Sequence, residues 1–394
     1  MNNPARILYL SDTGARMGGA TVSLAALVQR LDPSEFEPYA LLGSDGDFAS
    51  VLRGMRVDVT VAELKPIVRS CNPFVLLRCL LRLIRGCRSV MKICREKNID
   101  IIHANDNTVV FFAVIPAMLL KRESVWHVRS PVSRLGRIGA FLIKHCGALI
   151  SCSESAAEPF RKHSPRYAEK VFVAYDGVDV PKLIERSRRP SVREEYNIPP
   201  DTPLVGVVGR IARSKGQDVF LRAAVVVSEL HPKVRYVITG GPVAGSREGL
   251  AADTAFEEEI KRLAHKVGVA EKVIFTGYRH DNPAAIKDLS VVVVPSRLEP
   301  LGLVALEAMA LGVPVVVSAT GGLREIVESE VNGLVVPPDA AGALGMAICR
   351  LLKDRALAKR LADEGRRTVE SRFTADAHAG AVAQVYRTMT KAHE

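Results

Sequence analysis

Residues Ser296 to Gly322 read S-R-L-E-P-L-G-L-V-A-L-E-A-M-A-L-G-V-P-V-V-V-S-A-T-G-G, and the fold is decided here. The apolar strand Val291 to Val294 runs into Pro295, so Glu299 leaves the carboxyl end of a strand. Eight positions on, Glu307 falls in a helix predicted over Leu303 to Leu311, stopped by Gly312 ahead of Pro314. In open α/β sheets ligands bind at that end of the strands, where a helix N-terminus also favours anions. The stretch therefore suits an anionic ligand that also carries hydroxyls.

Outward from this block, the second half of the chain repeats one pattern. The strand Leu204 to Val208 leads into G-R-I-A-R-S-K-G and then a helix from Gln217 to Leu230. Arg210 and Lys215 thus share a loop after a strand, and two cations beside backbone amides suit a diphosphate. The order G-x-x-x-x-G-K-[ST] is absent, so this is not a Walker loop. Further strands are expected at Val234 to Thr239, Lys272 to Thr276 and Val313 to Val317. Glycine turns follow at Gly240-Gly241, Gly277, Gly302 and Gly321-Gly322. Helices expected at Ala341 to Leu361 and Ala375 to Ala392 either cover this sheet or cross back to the first half.

The first half alternates in the same way. Strands are expected at Ile7 to Leu10, Tyr39 to Leu42, Val57 to Val61, Ile99 to His103, Ser124 to Val128 and Ala148 to Cys152. Such alternation predicts a doubly wound parallel sheet. After the first strand, Gly14, Gly18 and Gly19 do not fit G-x-G-x-x-G spacing, so a tight turn and a binding loop both remain open. Asp45 and Asp47 around Gly46 read as a turn. His103 and His127 lie at strand ends, although a lone histidine is more often structural. A polar, proline-containing stretch over 181–200 reads as a linker between a first domain, 1–180, and a second, 201–372, with a last helix in 373–394.

One helix stands apart, at 73–97. Arg78, Arg82, Arg85, Lys92 and Arg95 recur on one face, with Leu77, Leu80, Leu81, Ile84 and Ile93 largely elsewhere. That is a basic amphipathic helix suited to an anionic membrane surface; a core-packed helix with a solvated arginine stripe is the alternative. Residues 1–180 hold 24 Lys and Arg against 17 Asp and Glu, so much of the +11 net charge lies in this half.

With 394 residues, two domains are the default. Aromatics at 5% argue against a stacking platform for single-stranded nucleic acid, and no nucleic-acid module is recognisable. Seven cysteines include no C-x-x-C pair; Cys71, Cys79, Cys87 and Cys94 in one apolar segment are expected as reduced core residues. Neither a secretory leader nor a membrane-length apolar run is read, so a cytoplasmic protein, peripheral at the inner face of the membrane, is expected.

Taken together the residues resemble the family-4 retaining glycosyltransferases of the GT-B fold. Five blocks carry the resemblance: V-G-R-I-A-R-S-K-G, V-I-T-G-G-P, F-T-G-Y, the two-glutamate block, and G-G-L-R-E-I-V. The resemblance implies an α/β protein with two Rossmann-like β/α/β domains facing across a cleft, the second holding a nucleotide sugar. It assigns Arg210 and Lys215 to the donor diphosphate and Glu307 to the ribose hydroxyls. It sets Glu299 beside the transferred sugar, with the amides of Gly302 and Leu303 on phosphate. Gly277, Tyr278 and Arg279 flank the base; Gly18 and Gly19 approach the diphosphate; and His127 lies near the sugar. Three positions depart from the family pattern: Ala20-Thr21 where a glutamate is common, Asn105 for a histidine, and Asp176 for an asparagine.

The expected activity is transfer of a hexose or N-acetylhexosamine from a UDP- or GDP-linked donor to a lipid-linked or polysaccharide acceptor. The donor is a substrate, so no cofactor is expected. No metal is expected either, since a D-x-D motif is missing from the site loops and two cations can neutralise the diphosphate. A nucleotide-sugar epimerase of the same fold is the alternative enzyme, and a nucleic-acid binder the alternative outside catalysis.

Overall fold

Near-continuous apolar runs such as Leu204–Val208 and Val291–Val294 are buried along their whole length, as strands covered by helices on both faces must be. In the computed structural model, which describes residues 3–15, 17–65, 72–130, 132, 136–163, 165–189, 192–242, 247–279 and 282–390, they belong to two parallel sheets. The first is built from β1 (Ala5–Ser11), β2 (Phe36–Leu42), β3 (Asp58–Val61), β4 (Ile101–Ala104), β5 (Glu123–Val128), β6 (Ala148–Ser151) and β7 (Val171–Val173). Their order is β3-β2-β1-β4-β5-β6-β7. The second holds β8 (Leu204–Val208), β9 (Arg235–Thr239), β10 (Val273–Gly277), β11 (Val291–Val294), β12 (Val315–Ser318) and β13 (Leu334–Val336), ordered β10-β9-β8-β11-β12-β13. Both orders reverse direction next to their first strand, between β1 and β4 and between β8 and β11. These are the switch points at which doubly wound sheets open a crevice for ligands.

The chain divides into two units, residues Met1–Asp176 with Ala375–Glu394, and Gly177–Thr374. The stretch read as a linker carries two short helices, Val180–Arg186 and Val192–Glu195, and lies in the second unit. The helix expected over Ala341 to Leu361 is two helices, Ala341–Lys353 and Arg355–Arg372. Asp354 makes the break by capping the second, its carboxylate accepting from the Leu357 amide at 2.9 Å. The final helix, Ala375–Thr390, is part of the first unit, where Val382, Val385, Tyr386 and Met389 join the core beneath β1 and β2.

The basic helix spans Pro73–Glu96, with Asn72 capping its start and proline in its first turn. Its second half packs: Cys87, Val90 and Cys94 are buried, and Gly86 lies so close to Phe112 that a Cβ there would meet the ring at 2.4 Å. Its first half does not pack as the core-packed alternative expects. Phe74 is 81% exposed, and Leu76, Leu77, Leu80, Leu81 and Ile84 are exposed with it. Arg82, in contrast, pairs with Glu63 at 3.3 Å. Cys71 and Arg134 lie outside the described residues; the six described cysteines are buried and none of them forms a disulfide. Among the described residues no helix is long and apolar enough to cross a membrane.

Candidate functional site

At the switch point of the second sheet, β8 and β11 send their following loops to the same edge. The loop after β11 carries Glu299, and the loop after β8 carries Arg210 and Lys215. Two glycines bring their neighbours onto the Glu299 loop. Gly216, at φ +71°, lies against Pro295, where a Cβ would meet the carbonyl oxygen at 2.0 Å. Gly321, at φ +50°, lies against Glu299, where a Cβ would meet the carbonyl oxygen at 1.9 Å. Both conformations favour glycine, and both contacts exclude a side chain. Backbone bonds complete the seam: Arg297 N–H donates to the Ser214 carbonyl at 2.8 Å, and Gly322 N–H to that of Glu299 at 3.1 Å.

In this frame Lys215 Nζ lies 2.6 Å from Glu299 Oε2, which also accepts from Ser296 Oγ at 2.9 Å. The Glu299 carboxylate is buried, and Oε1 has no hydrogen-bond partner among the described residues. One oxygen is therefore anchored while the other remains able to accept. Arg210 is half-exposed, its Nε 3.8 Å from Asp253. Gly302, at φ +111°, starts the helix Leu303–Ala310, so the amides of Leu303 and Val304 point out of the helix start without carbonyl partners among the described residues, while that of Ala305 turns back onto the Gly302 carbonyl at 2.9 Å. Cations and helix-end amides at one sheet edge can hold an anion.

Glu307 is one turn into that helix and half-buried. Burial pushes its carboxyl up to about 7, against the opposing pull of the Arg186 charge. The two glutamates that look alike in sequence thus sit in opposite environments, one ion-paired and the other without a hydrogen-bond partner among the described residues. Gly277 closes β10 at φ +68°, with Tyr278 exposed beside it, whereas Arg279 turns to Glu195.

Sequence reading missed Arg297. Its guanidinium forks onto Asp218 with two bonds of 2.8 Å, reaches Asp339 at 2.6 Å and donates to the Arg213 carbonyl at 2.7 Å. It ties the Glu299 loop to the turn that presents Lys215. The only signal for it is its place in R-L-E, since its partners are 79 and 42 positions away.

In the first unit, Gly14 is a turn glycine: its amide donates to Ser44 Oγ at 3.0 Å, and a Cβ there would clash with the Ser44 carbonyl. Asp45 likewise caps a turn, accepting from Gly46 N–H and Arg53. Gly18 caps the helix Gly19–Arg30, with its amide on Thr21 Oγ1 at 2.7 Å, and a Cβ on Gly18 would meet nothing within 4 Å. Packing does not require glycine at 18, which leaves room for a ligand to approach its backbone and that of Gly19. His127 is 0% exposed and bonded within a polar cluster of His103, Arg129, Asn105, Asp176 and Ser23. Burial and the Arg129 charge hold its imidazole well below the usual histidine range, so it is neutral at pH 7. Asn105 and Asp176, two of the three departures from the family pattern, both bond Arg129 here.

Known proteins resemble both units. The glycosyltransferase family 4 model matches residues 17–182, and the glycosyl transferases group 1 model matches residues 188–368. An uncharacterized glycosyltransferase of Methanocaldococcus jannaschii is 27% identical over 307 residues, 73% of this chain and 75% of its own length. A D-inositol 3-phosphate glycosyltransferase of Xylanimonas cellulosilytica is 34% identical over 62% of this chain and 57% of its own. The lipopolysaccharide core biosynthesis mannosyltransferase LpsB of Rhizobium meliloti is 28% identical over 71% of this chain and 77% of its own. Among solved structures, Anabaena HepE in complex with UDP-glucose has a TM-score of 0.80 at 23% identity, covering 98% of this chain and 99% of that one. This last likeness establishes the GT-B fold.

The Arg297 clamp gives a direct expectation. Arg297→Lys keeps the charge but loses the fork onto Asp218, and should cost about 1.5–3 kcal/mol, the scale of charge-assisted hydrogen bonds. Urea unfolding measures this; an unchanged midpoint would show that the loop is held by its backbone seam alone.

Proposed function

Because the chain belongs to the family-4 glycosyltransferases of the GT-B fold, we propose that it moves a hexose or N-acetylhexosamine from a nucleoside diphosphate sugar to a lipid-linked or polysaccharide acceptor, with retention of anomeric configuration. The observation that carries this reading is the Lys215–Glu299 pair set beside Arg210 and the open amides of Gly302 and Leu303. Arg210 and Lys215 take the diphosphate, and their charge stabilises the leaving group as the glycosidic bond breaks. Glu299 accepts from hydroxyls of the transferred sugar through Oε1 while Oε2 stays on Lys215 and Ser296. Glu307 accepts from the ribose hydroxyls, Gly277 and the backbone near Tyr278 and Arg279 flank the base, and the family resemblance gives Gly18 and Gly19 a diphosphate role as well. His127 serves the transferred sugar. The solved relative with UDP-glucose bound supports UDP among the candidate nucleotides.

The exposed start of the Pro73–Glu96 helix favours an acceptor held at an anionic membrane surface. Phe74, Leu77, Leu80 and Leu81 offer apolar side chains to the acyl boundary, and Arg78 and Arg85 offer charge to lipid headgroups. The LpsB relative, named for lipopolysaccharide core biosynthesis, is consistent with such an acceptor.

Three measurements test this reading. Glu299→Gln should lower the rate of transfer and of slow donor hydrolysis by about 100-fold, the scale of losing one preorganised contact to the reacting group; undiminished turnover sinks the assignment. Since ribose hydroxyls bind the ionised Glu307, affinity for a UDP-sugar should rise as pH climbs through about 7. The Glu307→Gln variant should lose that slope; calorimetry from pH 6 to 8 reads both, and a sloping variant refutes the ribose role. Finally, Arg78→Gln with Arg85→Gln should weaken binding to phosphatidylglycerol vesicles by about 1 kcal/mol for each charge. Equal sedimentation of variant and wild type would make this face a solvated stripe.

A further inference from the structure

The helix Gly19–Arg30 lacks two usual means of fixing a first turn: its N-cap, Gly18, has no side chain, and no acidic residue stands in that turn. Thr21 closes part of the gap locally, its hydroxyl accepting from the Gly18 amide at 2.7 Å and donating to the Gly18 carbonyl at 3.0 Å. The remaining hold comes from three strand ends. Asn105, directly after β4, donates from Nδ2 to the Ala20 carbonyl at 3.2 Å. Arg129, directly after β5, donates from Nε to Asn105 Oδ1 at 3.0 Å and from Nη1 to Ser23 Oγ at 2.6 Å. Ser23 in turn donates to Asp176 Oδ1 at 2.6 Å, and Asp176, from the segment after β7, is ion-paired with Arg129 Nη1. Ser23, Asn105, Arg129 and Asp176 are each more than nine-tenths buried. Burial opposes the Asp176 charge, yet the Arg129 guanidinium and the Ser23 hydroxyl help to outweigh it, and the carboxyl titrates below its usual range. The pair is therefore ionised at neutral pH.

We propose that Arg129, with Asn105 and Asp176, is a positioning residue: through Ala20 and Ser23 it sets the direction in which the Gly18–Gly19 backbone faces a diphosphate. This rests on the diphosphate role proposed for those two glycines. A buried ion pair is a weak source of stability, because desolvation offsets much of the attraction. What a guanidinium adds is direction, since its donors keep a fixed fork, and here they aim at Asn105, which holds Ala20, and at Ser23. Gly18 and Gly19 are exposed, and a Cβ on Gly18 meets nothing within 4 Å, so this backbone is open to a ligand while the side chains that aim it are buried. The amides of Gly19 and Ala20 have no carbonyl partner among the described residues. The three departures from the family pattern also meet here: Asn105 and Asp176 both bond Arg129, and Ala20-Thr21 is the turn they hold. They form one connected unit rather than three separate changes.

Calorimetry of the full chain with UDP and GDP, and saturation-transfer spectra with uridine and guanosine, test the role. Arg129→Lys keeps the charge but cannot serve Asn105, Ser23 and Asp176 together, and Ser23→Ala removes only the bridge between the helix and the ion pair. The diphosphate that the wild type binds better should bind about tenfold more weakly to Arg129→Lys and about threefold more weakly to Ser23→Ala, within the scale of a slightly misplaced contact. Its nucleoside, which has no phosphate, should bind both variants as it binds the wild type. Amide hydrogen exchange over residues 18–24 should quicken in both. Unchanged diphosphate affinity, unchanged exchange over that segment, or a loss shared equally by diphosphate and nucleoside overturns the positioning role. Should Arg129→Lys not fold, Ser23→Ala decides alone, since it deletes one hydroxyl and leaves the ion pair in place. A wild-type chain that binds neither diphosphate overturns the nucleotide-sugar reading itself and this role with it, an outcome distinct from a variant that matches a binding wild type.

Discussion

At Gly216 and Gly321 the main chain approaches the Glu299 loop so closely that no side-chain carbon fits at either contact. Everything chemical in the second unit follows from that closeness. The loop after β8, the loop after β11 and the turn after β12 are locked by amide–carbonyl bonds, and Arg297 spans them with a fork onto Asp218. Side chains on such a frame lose little freedom when a ligand arrives, which is how positioning contributes to catalysis. Lys215 and Glu299 meet because their backbones are fixed first.

The electrostatics are graded in the same region. Glu299 is neutralised by an ammonium 2.6 Å away and by a serine hydroxyl. Glu307, eight residues on, has burial acting against its charge and only Arg186 in its favour. Similar groups in opposite environments divide into different tasks. A pair of glutamates at this spacing could suggest acid and nucleophile, yet retaining glycosidases set both carboxylates across one bond. Here one carboxylate is anchored on the loop and the other stands on the helix that follows.

Most of the fold could be read from the sequence because covered parallel strands announce themselves as apolar runs between glycine turns. The exceptions have physical causes. β7 and β13 are three-residue strands, too short to display a period. Asp354 breaks one apparent helix into two because it caps as well as it continues. In the candidate site, residue types and spacing singled out Arg210, Lys215 and the glutamates, while the separate roles proposed for them came from family resemblance. Arg297 escaped because its partners are remote in sequence. The histidine cluster escaped for the same reason: His103 and Tyr386 are 283 positions apart yet bonded at 2.7 Å. The basic helix was legible as a pattern, but which of its faces packs depends on Phe112, which no periodicity names.

The helix Ala375–Thr390 places residues from the far end of the chain in the first unit's core, with Tyr386 and Met389 packed beneath its sheet. During synthesis this core waits for the whole second unit, about 200 residues, or roughly 10–40 s at ~5–20 residues per second. The first unit therefore emerges first and is completed last, its apolar seat for that helix uncovered in the interval. His378 and Tyr386 arrive with the same segment, so the polar cluster around His127 forms only in chains whose translation has run through to that helix. Assembly order thus couples the integrity of the polypeptide to the appearance of its buried hydrogen-bonding groups.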